Sequence, residues 1–395
     1  MAGSGAPVLI AGGGIGGLTT ALALCRRGIP VHIFEAAAEF AELGAGLQIG
    51  PNGTRILMGL GLGDALRRHA RRPERLIIRD GITGGRLSAM PLGEAALARY
   101  GAPYLVMSRH ALHGLLLDAV RAAPGITLTM GSRVASCQVM EESVFVGGAN
   151  GEKPLEGGGL VAADGVHSVL RRHLFPDMRA VPSGKTALRA LAPMPSWFSD
   201  GEESAVCVWM GPDAHLVHYP IGEDGRLNVV VVLRDEALPT GHETPVTAAQ
   251  IGAAFAGWSR DAREFAASAP DWMRWPLHTM PPLPSFSRGP FALLGDAAHP
   301  ILPFLASGAV MAIEDAAVLA GELARSPGDC AEAFDRYAAR RLPRLRQLQQ
   351  AVARTGEIYH MGGAMRLARN LALAAMPSRA LLARNDWLYG FRVDA

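Results

Sequence analysis

The opening of the chain constrains its fold more than any other stretch. An apolar run from Val8 to Ala11 enters the glycines Gly12, Gly14 and Gly17, and an apolar helical segment from about Leu18 to Arg27 follows, closed by Gly28. A second apolar run, Val31 to Phe34, ends at Glu35. Strand, glycine turn, helix and strand in this order make a βαβ unit whose G-x-G-x-x-G spacing lets the backbone approach a pyrophosphate, with Ile15 beside the turn. The helix start adds unpaired N–H groups and a positive dipole end, worth about 0.3–1 kcal/mol toward an anion. Glu35 stands where a carboxylate accepts hydrogen bonds from a ribose hydroxyl and repels a 2′-phosphate. A nucleotide with a free adenosine ribose, NAD or FAD, is therefore expected.

The same glycines account for the uncharged stretch from residue 8 to 25. Hydropathy alone would offer it as a membrane anchor, but no basic segment precedes it, and neither a signal peptide nor an integral membrane protein is expected. The 395 residues suit two to three domains, and 49% apolar against 19% charged residues supplies a sizeable core. Thirty-eight basic against thirty-six acidic side chains leave a charge of +2, too small for a field that gathers nucleic acid. The cluster Arg67, Arg68, Arg71, Arg72 and Arg75 lacks interleaved aromatics and reads as a solvated face. Cys25, Cys137, Cys207 and Cys330 are too scattered for a disulfide framework or a redox pair, which suits a reducing cytoplasm.

Further along, Leu112, Leu115, Leu116, Ala119 and Val120 form a helical stripe after Ser108. From Ser183 to Asp235 the pattern changes to β-branched runs, Ala205 to Trp209, Leu216 to Tyr219 and Leu227 to Leu233, separated by turns, as in an antiparallel sheet. An apolar strand from Phe291 to Leu294 precedes Gly295, and after Cys330 the chain reads as helix, with Arg336, Arg340 and Arg344 on one face. The tail from Ile358 to Arg392 is expected to pack against the body or against a second copy, as in a homodimer. Neither Gly44-Ala45-Gly46 nor the segment from Gly59 to Gly63 has a βαβ context, so a second dinucleotide domain is not expected.

Three separated motifs carry a family resemblance. Ala163-Asp164-Gly165-Val166-His167-Ser168 resembles the Asp-Gly motif of the flavoprotein aromatic hydroxylases. Leu294-Gly295-Asp296-Ala297-Ala298-His299-Pro300 resembles their Gly-Asp motif, continuing through Pro303 and Gly308 to Glu314-Asp315-Ala316. With the glycine turn they stand in that family's chain order, and the tail, Ile358-Tyr359-His360 and then Leu381 to Gly390, is similar to its salicylate, hydroxybenzoate and hydroxynicotinate branch. The resemblance implies an α/β fold with a discontinuous Rossmann-like FAD domain (1–72, 100–178 and 274–330), a β-rich substrate domain (73–99 and 179–273) and a helical C-terminal region (331–395). It also implies FAD as cofactor, NADH or NADPH as electron donor and O2 as co-substrate. A flavin hydroperoxide would transfer oxygen to a small hydroxylated aromatic or pyridine carboxylate.

By the same resemblance Arg109 reaches the FAD pyrophosphate or ribityl chain, Asp164 serves FAD and nicotinamide, and Asp296 bonds the ribityl chain. Asp296 follows a strand end, which suits that task physically, and the helix opened by Gly308, preceded by Pro303, can aim N–H groups at the flavin. Asp164 could equally cap a helix over Val166 to His173. In Asp213-Ala214-His215-Leu216-Val217-His218-Tyr219-Pro220, alternation puts His215, Val217 and Tyr219 on one face and His218 on the other. His215 and Tyr219 resemble positions at which the family deprotonates and orients the ring hydroxyl, and a histidine near pKa 6.5 suits proton transfer. An edge-strand histidine and an ordinary sheet aromatic are the plain alternative. Opposite faces exclude a metal held by His215 and His218, and no metal is expected.

Arg189 is suited to a bidentate pair with a substrate carboxylate, or to a structural role. Two departures from the family pattern limit what the resemblance implies about substrate: Leu188 stands before the arginine where many relatives have tryptophan, and Ser307 stands before the loop glycine where several have the longer glutamine. Two alternative functions use the same motifs, an FAD-dependent epoxidase or oxidase of a non-aromatic substrate and a non-catalytic FAD- or NAD-binding regulatory module.

Overall fold

In the computed structural model, residues 5–40, 46–148, 153–195, 198, 202–222, 225–234 and 244–393 are described. Gly44, Ala45 and Asp235, named above, lie outside them. The first strand, β1 (Val8–Ala11), leads through the glycine turn into α1 (Ile15–Cys25) and on to β2 (Val31–Phe34). The helix begins three residues earlier than its apolar pattern suggests, because Gly14 takes the extended N-cap position and Gly16 and Gly17 already lie in the first turn. Gly28 stops the segment with φ +74°, a left-handed conformation that favours glycine.

β1 sits inside a six-stranded sheet ordered Ser287–Arg288, Phe291–Leu293, Gly159–Ala162, β1, β2, Ile126–Thr129, parallel except at the first strand. All four β1 residues are buried, as expected of a parallel strand covered on both faces. One cover is α2 (Arg109–Ala122), capped where Ser108 Oγ accepts the Ala111 N–H at 3.0 Å, with Leu112, Leu116 and Val120 inward.

The second layer is an eight-stranded sheet ordered Thr244–Pro245, Met273–Thr279, β3 (Val181–Ala192), Leu227–Arg234, Ala214–Pro220, Val206–Gly211, Arg75–Asp80, Arg86–Pro91. We call Val206–Gly211 β4, Ala214–Pro220 β5 and Leu227–Arg234 β6. β4 to β6 pair antiparallel as a meander, while β4 pairs in parallel with Arg75–Asp80. The two faces of the sheet pack into different apolar clusters. Tyr219 and Val232 join the main core, whereas Trp209, Phe255, Trp258 and Phe265 form a second one.

Two long helices close the molecule. α3 (Gly308–Arg325) lies against α1 and is crossed by α4 (Cys330–Tyr359), whose 30 residues span about 45 Å and start at an Asp329 cap. The helices after α4 return to the body: Arg344 donates to the Trp387 and Leu388 carbonyls at 2.9 and 3.0 Å, and Arg55 donates to the Phe391 carbonyl at 2.7 Å. Among the described residues, no helix is long and apolar enough to cross a membrane.

Candidate active site

Two adjoining clefts of about 310 and 350 Å³ open along the carboxyl ends of the parallel strands and share Gly14, Ala163 and Gly165. This is where open α/β sheets bind their ligands. The smaller cleft is lined by Gly14, Ile15, Arg109, Arg189, His215, Tyr219, Asp296, Pro303, Ser307 and Gly308. Gly12, Gly14, Glu35 and Asp164 line the larger. The cleft pair thus brings together all the sequence-predicted residues except Gly17, which sits beneath.

The glycines divide their tasks. A Cβ on Gly17 would stand 1.9 Å from the Gly12 carbonyl oxygen, and one on Gly12, whose φ is +108°, 2.4 Å from that of Ala163. A Cβ on Gly14 would meet nothing within 4 Å, because that position faces the cleft. Glu35 holds the turn, its Oε2 accepting from Gly13 N at 2.7 Å and its Oε1 from Ala37 N at 2.8 Å. Each oxygen keeps acceptor capacity for a ribose hydroxyl. His113 of α2, which the sequence reading did not single out, hydrogen-bonds the Gly13 carbonyl through Nε2 at 2.8 Å and secures the turn from the other side.

Asp164 performs its cap and retains a free atom. Its Oδ2 accepts from Val169 N at 2.9 Å and Leu170 N at 3.2 Å, while Oδ1 is buried without a hydrogen-bond partner. The helix expected over Val166 to His173 is only Arg171–Leu174, since this carboxylate satisfies the preceding N–H groups in a turn. A buried unpaired oxygen in a nucleotide-shaped cleft is the kind of atom a ligand donor satisfies.

At the inner end, α3 begins with Gly308 at the cleft, and Met311 N is the first to bond back, to Ser307 O at 2.8 Å. The N–H groups of the first turn therefore point into the cavity, as those of α1 do from the far side. Ala306 precedes them with φ +48°, strained for a residue with a Cβ. Ser307 is buried and donates its hydroxyl to the Leu305 carbonyl at 2.7 Å, so that hydroxyl serves the loop. Asp296 follows Gly295, whose φ is +62°, and opens into the cleft.

The Glu314-Asp315-Ala316 motif anchors this corner. Asp315 Oδ2 accepts from Gly295 N at 3.1 Å and from His299 Nε2 at 2.5 Å, and its Oδ1 from Arg341 Nε at 2.6 Å. Burial acts to raise this carboxyl, but His299 and Arg341 prevail and hold it at about 2. Glu314 binds Arg341, Arg344 and Asn52, at 2.7, 2.6 and 2.7 Å.

The facing wall is the eight-stranded sheet. Cross-strand register puts Arg189 opposite Val230 and Val230 opposite Val217, with Val232 opposite His215 in the next row. The guanidinium of Arg189 lies 5.2 Å over the Trp275 ring. His215 and Tyr219 are almost fully buried, and burial drives the imidazole pKa well below its usual value and the phenol's upward. His218 points the other way, accepting from Trp209 Nε1 at 3.1 Å and packing on Phe265, with burial lowering its pKa to about 3. Among the described residues, no cluster of His, Cys, Asp and Glu is arranged to hold a metal.

Two further contributions were missed from sequence. Gly46–Ile49 runs so close to the sheet that a Cβ on Gly46 would stand 2.6 Å from Asn228 and 2.9 Å from Tyr219, which brings Leu47 and Gln48 to the cleft. His360, at the end of α4, lies 2.9 Å from His215 Nδ1 through its Nε2. Glycine at 46 signals a close approach only once its neighbour is known, and His360 is separated from His215 by 145 positions.

The described geometry fits FAD: two glycine-rich helix starts, carboxylates along the cleft and an orphaned oxygen at the nucleotide end. Comparison with known proteins agrees. The model of a family described as FAD binding domain matches residues 5–352. A 3-hydroxybenzoate 6-hydroxylase from Polaromonas naphthalenivorans (strain CJ2) is 34% identical over 98% of this chain and 96% of its own. A 3-amino-4-hydroxybenzoate 2-monooxygenase from Streptomyces platensis is 38% identical over 97% and 96%. Among solved structures, Klebsiella pneumoniae HpxO complexed with FAD and uric acid superposes with TM-score 0.86 at 27% identity, covering 99% of this chain and 98% of that one.

Proposed function

The chain belongs to the FAD binding domain family and is an FAD-dependent aromatic monooxygenase, and from that premise we propose that it hydroxylates a small ring carrying both a hydroxyl group and a carboxylate. The supporting observation is a single cavity in which Arg189, His215 and Tyr219 face the helix starts of α1 and α3. When bound, FAD would supply the redox chemistry, taking electrons from NAD(P)H to activate O2. The chain's own residues bind, orient and keep water out. Glu35 and the free Oδ1 of Asp164 take the adenosine end, and Arg109, Asp296, Pro303 and Gly308, with Gly12, Gly14, Ile15 and Gly17 behind the pyrophosphate, take the rest.

On the substrate side, Arg189 pairs with the carboxylate and Tyr219 directs the hydroxyl toward His215. Its Nδ1 is engaged by His360, so Nε2 is the nitrogen presented to the ring hydroxyl. A phenolate carries more electron density on the ring than a phenol, so removing that proton prepares the carbon to be attacked. Ser307 shapes the wall near the reacting position but has its hydroxyl tied to Leu305. The six-stranded layer is assigned to the nucleotide and the eight-stranded sheet to the substrate. Met365, Leu367 and Leu371, exposed on one helix, support a homodimer, and the four free thiols support a cytoplasmic setting.

The test is a spectrum of the purified protein followed by 3-hydroxybenzoate, 3-amino-4-hydroxybenzoate, salicylate and 6-hydroxynicotinate as ligands. At least one should accelerate NAD(P)H oxidation and yield a product carrying one atom from labelled O2. Stimulated oxidation with only hydrogen peroxide from every member of the panel would overturn this substrate class.

A further inference from the structure

His215 must accept a proton where a charge cannot be kept. Its ring is buried between Phe304 and Tyr359, with centroids 5.2 and 5.1 Å away. An imidazolium there has lost its water, so the site tolerates a proton in transit and resists one that stays. The described structure supplies one polar outlet, Nδ1 against Nε2 of His360 at 2.9 Å.

His360 is built for the next step. It ends α4, with its own N–H on the Gly356 carbonyl at 3.2 Å, and so lies at the negative end of a long helix dipole. It is half-buried, whereas neighbouring Asp213 and Arg234, paired at 3.6 Å, are exposed. The groups facing it are Lys185 on β3, Asp213 at the β4–β5 turn, Arg234 on β6 and His215 on β5. Burial lowers its pKa to about 4, helped by Lys185 and Arg234 and opposed by Asp213, so it also passes a proton on instead of storing it.

We propose that the substrate's hydroxyl proton leaves the cavity through a relay of two histidines, entering at Nε2 of His215 and leaving to solvent from Nδ1 of His360. The proposal rests on the reading of His215 as the group that meets the hydroxyl. As Nε2 of His215 gains the substrate proton, the Nδ1–H bond of His215 breaks and Nε2 of His360 takes that proton. His360 then loses its Nδ1 proton to water. Each ring ends neutral with its tautomer reversed, the substrate ends as phenolate and one proton reaches solvent. His360 acts through His215 and is a positioning and relay residue.

The experiment mixes FAD-loaded enzyme with 3-hydroxybenzoate in weak buffer containing a pH dye. In wild type, proton release should keep pace with ligand binding. His360→Gln keeps an acceptor for His215 but cannot relay. Its ligand Kd should stay within about threefold while release slows at least about tenfold and recovers when imidazole is added. Release at the wild-type rate in this variant, or slowing without imidazole rescue, would overturn the relay. His215→Gln separates the two readings. Normal release in that variant defeats the role of His215 itself, whereas slow release there with normal release in His360→Gln defeats only the relay. A ligand-free arm uses nitrogen NMR of the histidines. His215 should be neutral with its proton on Nδ1, and a proton on Nε2 would overturn the proposed direction.

Discussion

Gly14 and Gly17 stand three residues apart and exclude a side chain for different reasons. At Gly17 the obstacle is the protein's own Gly12 carbonyl, at 1.9 Å from an added Cβ, whereas at Gly14 there is open cleft. Gly17→Ala should therefore lower the thermal midpoint of the apoprotein and abolish FAD retention together. Gly14→Ala should leave apoprotein stability within about 1 kcal/mol of wild type, since alanine is only a modestly poorer N-cap, and still weaken FAD binding at least tenfold. Thermal melts with and without FAD read both outcomes, and equal apoprotein melting of the two variants would remove the assignment of Gly14 to the cofactor. At this scale the sequence was informative wherever a residue's task is local. Gly12, Gly28 and Glu35 could be placed because turn geometry and a short strand–helix–strand unit determine them. Asp164 was ambiguous between cap and ligand because each of its two oxygens has a separate fate.

The elements are coupled through charge that has left water. α3 brings its first turn to the cavity and α4 ends at His360, and the two are fastened by Arg341 on Glu314 and Asp315, all three fully buried. Removing the cation takes from both carboxylates a buried partner and leaves Glu314 to Arg344 and Asn52 and Asp315 to His299 and Gly295 N–H, so Arg341→Met should cost about 3 kcal/mol in denaturant unfolding. A loss below 1 kcal/mol would mean that Arg341 is not what fastens the two helices. Arg336, Arg340 and Arg344 were legible as one helical face, but their partners were not: Arg336 and Arg340 meet Glu322, and Arg344 meets Glu314. Periodicity reports which side chains share a face and is silent about which distant helix they address. The same limit hid the strand from Gly46 to Ile49, whose place beside Tyr219 depends on pairing across the whole chain.

For the molecule as a whole, buried neutral histidines set the response to acid. His218, buried with its pKa lowered to about 3, takes up a proton near pH 6.5 only when the chain unfolds. Its contribution to stability is complete above that pH and is lost as pH falls toward the folded value, at up to about 1.4 kcal/mol per unit. Urea unfolding should show wild type weaker at pH 5 than at pH 7, and His218→Gln should shrink that difference by about 2 kcal/mol. An unchanged difference would place the acid sensitivity elsewhere. Asp315, held at about 2, adds its own loss only below about pH 4. His218 and His215 stand three residues apart on one strand and so belong to opposite sides of the sheet, each side packed into its own apolar cluster. Valines 217, 230 and 232 line the cavity side alone, so under the proposed function exchanging them should change which ring outlines fit while the aromatic underside keeps the frame folded.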